Sequence, residues 1–95
     1  MEQFMVQEGQ YLAVFNSTHR VMKAENLLKS LGLRILLIPA PRALQTECGL
    51  AIRFDDTQKQ ALLAALADHD LMPAFVSRLV DGVYVRQEEV PPEDH

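Results

Sequence analysis

Residues Leu33–Phe54 read LRILLIPAPRALQTECGLAIRF. Two apolar runs, LRILLIPA (Leu33–Ala40) and GLAIRF (Gly49–Phe54), flank a loop from Pro39 to Gly49 that carries Pro39, Pro41, Arg42 and the only cysteine, Cys48. Both runs read as strands. The first stops at Pro39, which cannot donate to a ladder, and the second places Leu50, Ile52 and Phe54 on one face with Arg53 on the other. Two strands therefore follow one another around a loop that is held at both ends, a rigid frame for any reactive group it bears.

Upstream, Tyr11–Phe15 (YLAVF) is a continuous apolar run suited to a central strand buried on both faces. Asn16, Ser17 and Thr18 then offer caps for a helix on which Val21, Ala24, Leu27, Leu28 and Leu31 recur at helical spacing. Glu25 stands four residues before Lys29 in the favourable order, Met22 is read as core, and Gly32 ends the helix as a left-handed cap. Downstream, Asp55 and Asp56 fall where a second helix begins, with Thr57 and Gln60 at capping-box spacing. Leu62, Ala65, Leu66 and His69 share a face of that helix, which Asp70–Pro73 ends. The remainder, AFVSRLVDGVYVRQ, alternates as strands do, and Asp81–Gly82 is a hairpin signal. The order strand, helix, strand, strand, helix, strand predicts a two-layer α/β sandwich of ferredoxin-like βαββαβ type. If Phe75–Val80 forms its own strand, a C-terminal hairpin strand is added; the alternative is a sulfur-carrier fold of the TusA type.

Ninety-five residues make one domain. Its expected limits are 11–87, after an N-terminal arm (1–10) that packs on the domain edge or on a second copy, and before a disordered acidic tail (88–95). That tail, EEVPPEDH, holds four of the thirteen acidic side chains, and without it nine acidic residues balance nine basic ones. A balanced body gives no footprint for nucleic acid. The absence of a long apolar run and of a signal-peptide pattern argues against a membrane and for a cytoplasmic protein. One cysteine closes no internal disulfide and makes no zinc or dithiol pair, so no metal or cofactor is expected.

The chemistry-bearing residues converge on the loop and the first helix. Cys48 is either a reactive loop thiol or a small apolar filler. Arg42, held by Pro41, is a fork for a carboxylate, a phosphate or an oxyanion of sulfur or selenium, or else the partner of Glu47 or Asp55. His19 sits in the first turn of the first helix, where amides gather to bind anions, and is either a proton partner of Cys48 or an exposed histidine. Ser17 and Thr18 are caps first and anion ligands second. His69 is read as a favourable charge on a helix C-terminus. With one candidate nucleophile and no second catalytic group, a free-standing enzyme ranks below the other readings.

Two blocks, NSTHRVMKAENLLKSLGL (Asn16–Leu33) and LIPAPRALQTECGLAIRF (Leu37–Phe54), resemble the small bacterial family of selenium or sulfur carrier-like proteins. The resemblance rests on Ser17, Thr18, His19, Met22, Ala24, Glu25, Pro39, Pro41, Arg42, Cys48 and Gly49. Gln45 and Thr46 stand where the family usually shows serines, and the C-terminal part is longer than its pattern. The resemblance implies a carrier that holds sulfur as a persulfide, or selenium as a selenosulfide, on Cys48. Arg42 and His19 would steady the thiolate, Gly49 would admit a donor enzyme's backbone, and donor and acceptor proteins would be the partners. The reading of a different class is a non-catalytic module in which the Arg42 loop and the Ser17–Thr18 helix start hold an anion or an acidic partner, with Cys48 merely packed. An interaction subunit whose strand edge pairs with itself, as a homodimer, or with an enzyme is the third.

Overall fold

A computed structural model of the chain describes residues 6–44 and 46–87. The elements in order are β1 (Tyr11–Val14), α1 (Thr18–Ser30), β2 (Leu36–Pro39), a 3-10 turn (Arg42–Leu44), β3 (Leu50–Phe54), α2 (Asp56–Asp68), β4 (Phe75–Val80) and β5 (Val83–Gln87). The sheet runs β2-β3-β1-β4-β5 with every neighbouring pair antiparallel. This is the ferredoxin-like arrangement with one strand added. Phe75–Val80 is a full strand, and Asp81 and Gly82, with φ of 53° and 78°, form the two-residue turn to β5.

β1 is central because all four of its residues are apolar enough to be buried from both sides. On the helix side Tyr11, Ala13, Ile52, Phe54 and Val76 pack against Val21, Ala24 and Leu28 of α1 and Leu62 and Leu66 of α2. Each buried leucine stabilises the fold by about 1.5–3 kcal/mol relative to exposure. The opposite face has no helix. Leu12, Val14, Ile38 and Ala51 are buried there beneath Val6, Leu36, Ala40, Leu44, Phe75 and Tyr84. Met22, expected in the core, is 43% exposed, because the buried face of α1 is set by Val21, Ala24 and Leu28.

Both helices end in the same way. In α1 the amides of Gly32 and Leu33 donate to the carbonyls of Lys29 (3.0 Å) and Leu28 (3.1 Å), the Schellman pattern, with Gly32 at φ 81°. In α2 Asp70 and Leu71 repeat it onto Ala67 (3.2 Å) and Leu66 (2.8 Å), with Asp70 taking the left-handed position at φ 57°. Ser17 caps the start of α1 by accepting from the Arg20 amide at 3.2 Å, and Lys29 pairs with Glu25 at 3.0 Å. The expected capping box at Thr57 and Gln60 is not formed. α2 already begins at Asp56, with Asp55 at the cap, and the Asp55 carboxylate accepts from the Gln10 side chain instead (2.9 Å).

The expected strand over Leu33–Ala40 is cut to Leu36–Pro39, because its partner β3 ends at Phe54 and Leu36 already faces Arg53. Ahead of it, the Arg34 amide donates to the Gln58 side chain at 3.0 Å. Of the arm expected over 1–10, residues 6–10 are described, and they are tied to β4 and its turn. Gly9 N–H donates to Leu79 O at 2.7 Å, Leu79 N–H donates to Gln10 O at 3.0 Å, and the Arg78 guanidinium donates to Gly9 O at 3.1 Å. The Glu8 carboxylate accepts from the Asp81 amide and from the Gly82 amide at 3.3 Å. Phe4 and Met5, and the acidic tail 88–95, lie outside the described residues.

Candidate functional site

The loop between β2 and β3 is closed by its own backbone. Ala40 N–H donates to Gly49 O at 2.9 Å, and Leu44 N–H donates to Pro41 O at 3.0 Å within the 3-10 turn. Leu44 anchors that turn by packing under the helix-free face. At the far end the Thr46 hydroxyl accepts from the Gly49 amide at 2.7 Å, a local turn of the kind threonine forms with the backbone. Gly49 has φ 76°, a left-handed conformation that a side chain disfavours. A Cβ there would meet nothing within 4 Å, so the space above Gly49 is open.

These constraints turn Cys48 inward. Its side chain packs half-buried against the helix-side core, and its S–H is directed at two carbonyls, Phe15 O at 3.3 Å and Leu50 O at 3.4 Å. Phe15 follows β1 and lies two positions before the α1 cap Ser17, so the thiol sits at the junction where β1 hands over to α1. The first helical bond runs from Val21 N–H to Ser17 O at 3.1 Å; the amides of Thr18 and His19 precede it and belong to the exposed first turn.

Arg42 is exposed and lines an open cleft of about 350 Å³ together with Ala40, Pro41, Thr46 and Gly49. It makes no ion pair with Glu47 or Asp55 among the described residues, the two partners considered for it. His19 is exposed in the first turn of α1. Neither Arg42 nor His19 is hydrogen-bonded to Cys48 among the described residues. The fold thus joins Cys48 to the β1–α1 junction and Arg42 to Thr46 and Gly49 around a cleft, with no hydrogen bond from Arg42 or His19 to the sulfur among the described residues. His69, at the end of α2, places Nδ1 3.0 Å from Ala65 O. Among the described residues no three His, Cys, Asp or Glu side chains are grouped as a metal site, and no helix is long and apolar enough to cross a membrane.

Residues 10–77 match the family described as "Putative Se/S carrier protein-like". The chain belongs to that family. The match takes in the whole of β1 to α2, including Ser17, Arg42 and Cys48, and ends within β4, so the Se/S carrier-like region stops short of β5. No curated protein and no solved structure matches the chain.

Four participants were not read from the sequence. The Phe15 and Leu50 carbonyls are backbone groups and leave no residue signature. Thr46 had a signal, a hydroxyl three residues before a glycine. Arg20 sits beside His19 in α1 and donates to Asp70 O (3.1 Å) and Met72 O (3.3 Å), stapling the start of α1 to the α2–β4 connector.

Proposed function

We propose that this member of the Se/S carrier-like family holds one sulfur or selenium atom on Cys48 and passes it between a donor and an acceptor protein. The observation that carries the reading is the placement of the only cysteine, inside the family-matched region and against the Phe15 carbonyl just after β1. In the transfer, the Cys48 thiolate attacks the terminal sulfur of a donor persulfide. A new S–S bond forms at Cys48, the donor's S–S bond breaks, and its electron pair leaves on the donor thiolate. Selenium moves by the same displacement at the terminal selenium of a donor selenosulfide. No second cysteine stands in the chain to attack the product, which suits storage until an acceptor thiol arrives.

The one S–H proton can be given to only one of the two facing carbonyls at a time, and a sulfur loaded with a further atom has no such proton to give to either. Open space above Gly49 admits the donor's backbone, and the exposed Arg42 offers a fork to a partner's carboxylate.

A second reading has its own observation. A thiol packed on the core and bonded to two carbonyls also fits a structural cysteine, with the Arg42 cleft binding an anion or an acidic partner. The test is intact mass spectrometry of protein purified anaerobically, without reductant, from cells fed sulfur or selenium. A reducible added sulfur or selenium atom that disappears in Cys48→Ser supports the carrier. An unmodified mass, with a thiol that labels only after unfolding, supports the binding module.

A further inference from the structure

Two helices cover four strands, and β5 lies beyond them. On the helix side of the terminal hairpin Val80, Val83 and Val85 are left 38%, 61% and 43% exposed. Among the described residues, no strand pairs with the outer edge of β5. Leu79 turns its N–H and C=O away from β5, toward Gln10 and Gly9. Its cross-strand partner Tyr84 therefore belongs to a non-hydrogen-bonded pair, as does Arg86 opposite Ser77. The backbone groups of Tyr84 and Arg86 point outward, and those of Val83, Val85 and Gln87 point to β4.

The other sheet edge differs. The bond from Ala40 N–H to Gly49 O sets the phase of β2, so Leu37 and Pro39 face outward, and Pro39 has no N–H to give.

We infer that β5 is a self-association strand, pairing antiparallel with β5 of a second copy about a two-fold axis through Val85. This register is selected by the residues. It lets Tyr84 and Arg86 of one copy exchange backbone hydrogen bonds with Arg86 and Tyr84 of the other. Val85 meets its own counterpart in a close, non-hydrogen-bonded pair. On the opposite face each Arg86, whose guanidinium stacks on Phe75 of its own chain at 3.9 Å from the ring centroid, comes beside the tyrosine of the other copy rather than beside a like charge. A shift of one residue toward the C-terminus at the symmetry axis sets Arg86 against Arg86, a like-charge pair. A shift toward the hairpin turn leaves the outward groups of Arg86 opposite Gly82, at the turn. Charge and hydrogen-bonding phase thus agree on a second copy as the occupant. The axis runs the two sheets in opposite directions, so the Cys48 loops lie at opposite ends of a ten-stranded sheet and both stay accessible.

A five-residue edge is smaller than the ~1,200–2,000 Å² interface of a stable complex, so the dimer is concentration-dependent. The test is sedimentation velocity of the full chain over a concentration series, with amide exchange followed in parallel. The expected result is a shift from monomer to dimer with rising concentration, accompanied by slowing of the Tyr84 and Arg86 amides. Val85→Lys should keep the circular dichroism and melting of a folded monomer and lose the dimer. Mixing Val85→Lys with Val85→Glu should restore it as a heterodimer. A monomer at every concentration, or a dimer that Val85→Lys leaves intact, would overturn the inference.

Discussion

The thiol of Cys48 donates to the carbonyl oxygen of Phe15, 3.3 Å away and 33 positions earlier in the chain. This contact joins the β2–β3 loop to the end of the central strand. It makes the reduced thiol part of the packing, so chemistry at the sulfur and stability of the loop are linked. Cys48→Ser keeps a donor in place and is expected to unfold within about 1 kcal/mol of the native chain. Cys48→Ala loses the donor and the sulfur's contacts and should cost more, about 1–2 kcal/mol. Urea denaturation of the two variants checks the order.

Gly49→Ala tests the loop backbone. No neighbouring atom stands in the way of a Cβ, so the whole cost is the left-handed conformation, about 1–2 kcal/mol. The expected outcome is a melting temperature lowered by roughly 4–8 °C per kcal/mol lost. An unchanged melting temperature would mean that the loop relaxes to another conformation.

Asp70 predicts the opposite sign. It is an aspartate in the left-handed position that Gly32 occupies at the end of the other helix, and it places an acidic side chain at a helix C-terminus. Asp70→Gly should stabilise the domain by about 0.5–1 kcal/mol, read from thermal unfolding.

Glu8 caps the β4–β5 turn from 73 positions away, through the amides of Asp81 and Gly82. Glu8→Ala removes charge-assisted bonds of the kind that contribute about 1.5–3 kcal/mol when shielded, and less at this exposed turn. Hydrogen exchange at Asp81 and Gly82 should accelerate, with strands β1 and β3 unaffected.

Tyr84 gives an alkaline signature. Burial beneath the helix-free face raises its phenol above the ordinary value of 10.0. The folded chain then holds this proton more tightly than the unfolded one. Its stabilising contribution is complete below pH 10 and is lost as pH rises from there through the folded-state value. Urea midpoints followed above pH 9 should fall more steeply for the native chain than for Tyr84→Phe.

Much of this fold was legible in residue order. Alternating or continuous apolar runs marked four strands, helical spacing marked α1 and α2, and Asp81–Gly82 marked the hairpin that turns the last run into two strands. The misreadings came from contacts between elements. Leu33 is apolar enough for a strand, but Asp56, which it would face, already belongs to α2. Thr57 and Gln60 have the right spacing for a cap, yet Asp55 starts the helix sooner. Met22 sits among periodic apolar residues and still points outward, because α1 meets the sheet through its neighbour Val21. At the site, the cysteine and its loop were visible and its partners were not, since both are backbone carbonyls brought in by the fold. The spacing of Arg42 and His19 from Cys48 carried no information about the distance between them.

Pro39 has a consequence for how far assembly can go. A sheet with two receptive borders can add neighbours without limit, which is the route to fibres. Here the outward donors of β2 are interrupted by an imide nitrogen, and the receptive border is at β5 alone. A chain with one valence stops growing once that valence is used. If β5 pairs as inferred, the proline that ends the strand leading into the cysteine loop would also be a chain terminator for self-assembly.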